Sequence, residues 1–206
     1  MTRRIFKTIL IFICLSSIAY GQKNIENNLT AQHQNIAGTK VSLIPPKGFI
    51  KGLNFLGLQQ SESGSSIMVM DFPAPYSEVT KGLGEEHILS AGVEMKKIEN
   101  FTLNGLPAIF VTETQNAYGN IYTKYVLIFG TEKETIMING VFPENLKKIG
   151  AEIKKSMLTV VYEQNKIIDP FETLDFSIDV SGTKLKLGKG GISNILAFTV
   201  DGKIPT

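Results

Sequence analysis

Asn104-Gly105 lies between two apolar-rich runs and commits the chain to a hairpin, because both residues tolerate the positive φ that a type I′ turn demands. Glu94 to Leu103 therefore reads as one strand and Ala108 to Glu113 as its antiparallel partner. The same punctuation continues downstream. Asn116 to Asn120, with Gly119 inside, turns the chain into Ile121 to Phe129, and Gly130 to Lys133 turns it again into Glu134 to Phe142. Four successive antiparallel strands form a meander, and a meander needs a second layer over its apolar face. Pro143, whose missing N–H costs nothing at a helix start, opens that layer. From Glu144 to about Val161, Leu146, Ile149, Ile153 and Met157 share one stripe to be buried against the sheet. Lys147, Lys148, Lys154 and Lys155 fall largely on the other side. Glu144 suits the positive end of the helix dipole, and the lysines suit its negative end.

Upstream, Lys40 to Ile44 alternates as a short strand and stops at Pro45-Pro46 and Lys47-Gly48. Leu53 to Gln59 and Ser66 to Phe72 are apolar-rich runs on either side of Ser61-Glu62-Ser63-Gly64-Ser65, which predicts a second hairpin. A helix is predicted over Ser77 to Ala91 from the spacing of Val79, Leu83 and Ile88, with Ser77 as N-cap and Gly92 as stop. Gly82 and Gly84 weaken it. After Asp169-Pro170, the tail offers Leu174 to Val180, Lys184 to Leu187 and Asn194 to Val200 as further strands. Gly182-Thr183-Lys184-Leu185-Lys186-Leu187 echoes Gly38-Thr39-Lys40-Val41-Ser42-Leu43. Two readings stand: an incomplete second copy of the domain's opening, or a chance recurrence of a turn.

The first residues have the order of a secretory signal. Arg3, Arg4 and Lys7 precede a short apolar run from Ile9 to Ile18, and Ala19-Tyr20-Gly21 places small residues at −3 and −1 of a cut before Gln22. A spanning helix needs about 20 apolar residues, more than this run supplies. Cys14, the only cysteine, lies inside the run, so a chain cut after Gly21 forms no disulfide and carries no lipid-bearing cysteine. Removing Arg3, Arg4 and Lys7 from 21 basic residues leaves 18 against 19 acidic ones, a net charge of −1. Nucleic-acid binding loses its compositional support. The expected organisation is a signal peptide at 1–21, a flexible leader at 22–37, a domain at 38–165 and a β-rich extension at 166–206, exported to the periplasm or beyond, with no stable membrane span in the mature chain.

The ordered signals are Leu43-Ile44-Pro45-Pro46-Lys47-Gly48-Phe49, a strand from Ile67 to Pro73, a helix, Asn104-Gly105-Leu106-Pro107-Ala108, Tyr125 to Gly130, Gly140-Val141-Phe142-Pro143 and an amphipathic helix. This order resembles the Mog1/PsbP-like superfamily, in particular its exported bacterial members related to DcrB. The resemblance covers about Lys40 to Tyr162 and rests on turn and strand signals, with no catalytic signature. It implies an α+β fold, an antiparallel sheet flanked by α-helices in an α/β/α sandwich, here with extra C-terminal strands. It also implies a binding or assembly role, as held by the superfamily's GTPase-binding protein, extrinsic photosystem subunit and envelope proteins. The Trp that often follows the Pro-x-Gly turn is Phe49 here, and no residue takes over a binding role by motif.

His33 and His87 are the only histidines, and His33 falls in the expected leader. His87 follows Glu85-Glu86, but Ala91 stands where a zinc-protease helix needs its second histidine, so a solvated helix histidine is expected. Ser63-Gly64-Ser65 is a turn and no nucleophile elbow. Gly188-Lys189-Gly190-Gly191 lacks the spacing of a phosphate loop and reads as a hairpin turn. Glu85 and Glu86, adjacent on a helix, diverge. The lysines at 147, 148, 154 and 155 are interrupted by Glu144 and Glu152 and read as an amphipathic outer face. No catalytic, cofactor-binding or metal-ligating residue is assigned, and no cofactor is expected. The expected function is a non-enzymatic binding or scaffolding domain of the bacterial envelope, its partner an unidentified envelope protein. The alternatives are a periplasmic carrier of a small apolar ligand or lipid, and a hydrolase using His87.

Overall fold

The structure is a computed structural model that describes residues 23–81, 92–169, 171–174, 176–188 and 196–203. The elements in chain order are β1 (Asn24–Ile25), β2 (Gln34–Asn35), β3 (Val41–Leu43), β4 (Ile50–Lys51), β5 (Gly57–Gln60), β6 (Ser65–Phe72) and α1 (Tyr76–Lys81). They are followed by β7 (Val93–Leu103), β8 (Leu106–Ala117), β9 (Asn120–Gly130), β10 (Thr135–Pro143), α2 (Lys147–Met157), β11 (Val161–Tyr162), β12 (Lys186–Leu187) and β13 (Phe198–Thr199). An eight-stranded sheet runs β1-β7-β8-β9-β10-β6-β5-β4, a three-stranded sheet runs β11-β3-β2, and β12 pairs with β13.

The predicted meander is present. Asn104 at φ 47° and Gly105 at φ 77° make the β7–β8 turn, and Tyr118 at φ 52° with Gly119 at φ 76° make the β8–β9 turn. The ladder between β8 and β9 therefore runs to Ala117↔Asn120, beyond the predicted end at Glu113. The predicted 53–59 and 66–72 hairpin is β5–β6, but its first strand begins only at Gly57, and residues 53–56 form a loop.

The strand registers place Ile136, Ile138, Gly140 and Phe142 of β10 on one face with Phe129 and Leu127 of β9 and Val69 and Ile67 of β6. This face holds the core, and Ile153 and Met157 of α2 are buried in it with Val41 and Leu43 of β3. Each such side chain contributes about 1.5–3 kcal/mol of burial. The helix sits close because two positions lack a Cβ. A Cβ on Gly140 would lie 2.5 Å from Ile153 Cγ2 and 2.8 Å from Met157 Sδ, and one on Gly150 would collide with the Phe142 ring.

Three expectations change. Pro143 does not open the helix. It ends β10 opposite Tyr122, Glu144 N–H donates to Ile121 O at 2.9 Å, and α2 starts at Lys147 with no side-chain cap at Leu146. The ladder with β9 outcompetes the first helical turn. Lys154, expected on the outer side, lies over the Phe110 ring at 4.7 Å from its centroid and pairs with Glu99 at 3.3 Å. Its long stem lets the ammonium reach back across the sheet.

The 22–37 segment, expected to be a flexible leader, is folded where described. β1 pairs in parallel with β7, Asn27 donates from its amide to Leu158 O and Val160 O at 2.9 Å each, and Ile36 is buried. Asn and Gln read as disorder in composition, but here the side chains of Asn27 and Asn35 satisfy backbone groups of neighbouring segments.

The sheet is multi-stranded and largely antiparallel, with α2 and the three-stranded sheet on one face. α1 contacts β9, and the rest of the predicted 77–91 helix lies outside the described residues. In the tail, β12–β13 matches the second and third predicted strands. The described part of the predicted 174–180 strand is not extended into a ladder. Among the described residues no helix is long and apolar enough to cross a membrane.

Candidate functional site

At the β4 edge of the large sheet, the chain builds a cleft of about 380 Å³. The loop 52–56 lines it. Gly52 N–H donates to Gly57 O at 2.8 Å and closes the loop, while Leu56 O accepts from Val69 N–H at 2.8 Å and ties it to β6. Gly57 has no alternative, since a Cβ there would collide with the Ile67 carbonyl. One wall is Ile36-Ala37 from the opening turn, and the other is Thr173-Leu174 from the tail. The walls meet at Gly38, whose N–H donates to Glu172 Oε2 at 3.3 Å and whose missing Cβ leaves room for Thr173 Cγ2.

The lining is apolar at Ile36, Leu53, Phe55, Leu56 and Leu174, and Lys51 is its one charged side chain. Leu53 is 77% exposed and Ile50, on the adjoining edge strand, 60%. Lys51, Asn54 and Thr173 interrupt that lining, so polar and apolar surface share the cleft about equally, and a concave surface with placed polar groups is a form that binding sites take. Its volume lies at the lower end of that class.

The principal cluster of interacting ionisable groups lies apart from this cleft. Tyr162 of β11 hydrogen-bonds Glu134 in the β9–β10 turn, and Lys40 Nζ reaches both Glu134 oxygens at 2.8 and 2.9 Å. Burial, then the Glu134 contact, raise the Tyr162 pKa above the ordinary tyrosine value. The Phe129 and Tyr162 rings meet edge to face at 5.7 Å. Every member bridges the small sheet to the large one, so the cluster is a structural clasp. On β7, the Glu99 carboxyl is held below its usual range by Lys97 and then by Lys154 of α2, while burial raises Glu113 of β8 despite Lys124 beside it.

Among the described residues, the candidates for chemistry are not brought together. His33 Nδ1 accepts from Thr30 N–H at 3.1 Å, and Nε2 lies 2.9 Å from Thr159 O, so the ring is a strut between the N-terminal segment and the end of α2. Ser63-Gly64-Ser65 is the turn expected, with Gly64 at φ 62°. Lys147 pairs with Glu144 at 3.5 Å, and Lys148 and Lys155 are exposed. Gly188 N–H donates to Ala197 O at 2.8 Å. Glu85, Glu86, His87, Ala91, Lys189, Gly190 and Gly191 lie outside the described residues, as do Cys14 and the whole of 1–21. Among the described residues no group of three or more His, Cys, Asp or Glu is placed to hold a metal ion.

Sequence reasoning missed the cleft. Its available signal was Gly52 and Gly57 bracketing Leu53, Phe55 and Leu56, a loop closed on itself, which the apolar content disguised as a strand.

No family model and no curated protein matches this chain. It is similar to several solved structures. LpqN of Mycobacterium tuberculosis, involved in cell envelope biogenesis, shares 9% identity over 60% of this chain and 83% of its own, with a TM-score of 0.47. The cyanobacterial PsbP (CyanoP) of Synechocystis sp. PCC 6803 shares 9% identity over 65% and 94%, with a TM-score of 0.47. A Pseudomonas aeruginosa protein of unknown function shares 15% identity over 47% and 72%, with a TM-score of 0.41.

Proposed function

We propose that the chain is an exported, non-enzymatic domain of the bacterial cell envelope that binds or scaffolds a protein partner, and that the partner docks at the cleft beside loop 52–56. The export reading rests on the Arg3, Arg4 and Lys7 cluster, the Ile9 to Ile18 run and the Ala19-Tyr20-Gly21 end. The placement among exported, DcrB-related members of the Mog1/PsbP-like superfamily rests on the ordered turn and strand signals of the sequence. The observation that carries the binding reading is Leu53, an exposed leucine lining a cleft of mixed polar and apolar surface whose loop is held by backbone hydrogen bonds. A rigid loop loses little entropy on docking.

Carriage of a small apolar ligand is the less favoured reading. Between α2 and the sheet, Gly140 and Gly150 bring helix and strands into direct contact, so a ligand gains no room in that layer. The test is a photo-crosslinking residue at position 53, expressed in cells, with the fully exposed Tyr118 as control position. A discrete protein adduct from position 53, absent from position 118, is expected. No adduct from position 53, or the same adducts from both, overturns the reading. An adduct of lipid mass would favour the carrier.

A further inference from the structure

Strands β6 and β10 sort their side chains by chemistry. Ile67 and Val69 of β6 and Ile136 and Ile138 of β10 are buried in the core, whereas Met68, Met70 and Met137 alternate with them on the reverse face of the sheet. The register sets Met70 opposite Met137 and Met68 opposite Asn139. Three thioethers and one carboxamide thus hold the corners of a square on one sheet face.

Strand preference does not account for this choice. On the same face the neighbouring β9 carries Val126 and Ile128, and β8 carries Val111 and Ile109, the β-branched residues that a pleated surface favours. Three of the six methionines of the chain stand instead in the square. They are half-buried, so solvent reaches them, while Asn139 Oδ1 is buried and has no hydrogen-bond partner among the described residues. A buried acceptor left without a donor is costly and marks a missing partner. On the other side of Met68, Gly57 of β5 stands opposite it and adds no side chain.

Directly opposite residues on one face stand about 5 Å apart at Cβ, and i, i+2 neighbours about 7 Å. Each thioether has three rotatable bonds with which to bring its sulfur to a common centre. Neutral, polarizable thioether sulfur suits Cu(I), whereas zinc prefers thiolate or imidazole, and calcium and magnesium prefer carboxylate. Cys14 is the only cysteine, so thioether is the only soft donor after residue 14. A cation at the square also gives the Asn139 oxygen a positive charge to face.

We infer that Met68, Met70 and Met137 form a Cu(I) site on the reverse face of the large sheet, with the Asn139 amide oxygen beside the ion. The site takes up Cu(I) with no change of oxidation state and is separate from the cleft at loop 52–56. Anaerobic titration with Cu(I) against the chromogenic chelator bicinchoninate tests it, on the full chain carrying Cys14→Ser to remove its one thiol. The expected result is uptake of a single Cu(I) per chain that Zn(II) does not displace. Met68→Leu, Met70→Leu and Met137→Leu nearly conserve volume, and each should weaken Cu(I) binding about tenfold or more. Met95→Leu, on β7 and separated from the square by β8 and β9, should leave it unchanged. Methionine-methyl NMR with Ag(I), a redox-inert stand-in, gives a readout free of methionine variants: the signals of Met68, Met70 and Met137 should shift together while those of Met95 and Met157 stay in place. Absence of Cu(I) uptake overturns the inference, as does displacement by Zn(II), affinity unchanged in any of the three square variants, equal loss with Met95→Leu, or methyl shifts only outside the square.

Discussion

Gly150 shows how one missing methyl group sets the distance between layers. A Cβ there meets the ring of Phe142, which is 1% exposed and has no space to move into. Gly150→Ala gains helix propensity, yet overpacking a closed interface costs about 1–3 kcal/mol. The expected result is a lower urea midpoint with an unchanged m value, read by circular dichroism. A midpoint at or above wild type would mean that α2 can lift from the sheet. Glu113 makes the opposite case. Burial raises its pKa while Lys124, directly opposite in the ladder, only partly offsets it. The folded state therefore holds this proton more tightly than the unfolded one, so the group's contribution is fully present below its unfolded pKa and fades as pH rises through the folded one. Glu113→Gln should flatten that part of the stability-versus-pH curve and raise neutral-pH stability by a few tenths of a kcal/mol, measured by urea titration at several pH values. A variant less stable than wild type at neutral pH would show that the Lys124 pair outweighs the burial.

Between elements, stability depends on polar ties at the ends of short strands. β11 and β3 are two and three residues long and could not hold a sheet alone. The clasp of Lys40, Glu134 and Tyr162 fixes them to the β9–β10 turn. Tyr162→Phe leaves the ring contact with Phe129 and removes the hydroxyl, with an expected loss of about 1 kcal/mol. The raised Tyr162 pKa means that its contribution is intact below the unfolded tyrosine value and is lost as pH rises above it. The alkaline fall in stability should therefore be shallower in Tyr162→Phe, and an unchanged alkaline limb would remove the clasp from the account. The N-terminal strap works similarly, since Asn27 satisfies two carbonyls at the end of α2 and receives a return bond from Asn104 Nδ2 at 3.2 Å. Asn27→Ala should cost about 1–3 kcal/mol and speed amide exchange in residues 24–36 and 158–160 together. Exchange confined to the strap would show that the two segments are not coupled.

Across the whole molecule, all buried apolar residues of the core cluster fall between Ile36 and Val160. Among the described residues, none after Leu174 adds a side chain to it. Ending the chain after Leu174 should therefore leave the thermal midpoint of the main transition unchanged. A midpoint lowered by several degrees would place the tail inside the cooperative unit.

Much of this architecture was legible in local chemistry. Asn104-Gly105, the glycine turns after it and the 149–153–157 stripe announced the meander and its covering helix, because turn dihedrals and helical periodicity are set by neighbours in the chain. The cleft, the strap and the reach of Lys154 were not legible. Each depends on partners far away in sequence: Thr173 against Gly38, Leu158 and Val160 against Asn27, and Phe110 beneath Lys154. The meander and the apolar stripe of α2 follow from φ preferences and hydrophobic spacing between neighbours in the chain. That an Asn-rich stretch folds as a strap and that loop 52–56 borders a cleft follow from long-range hydrogen bonds and close glycine contacts, which arise once the layers have met.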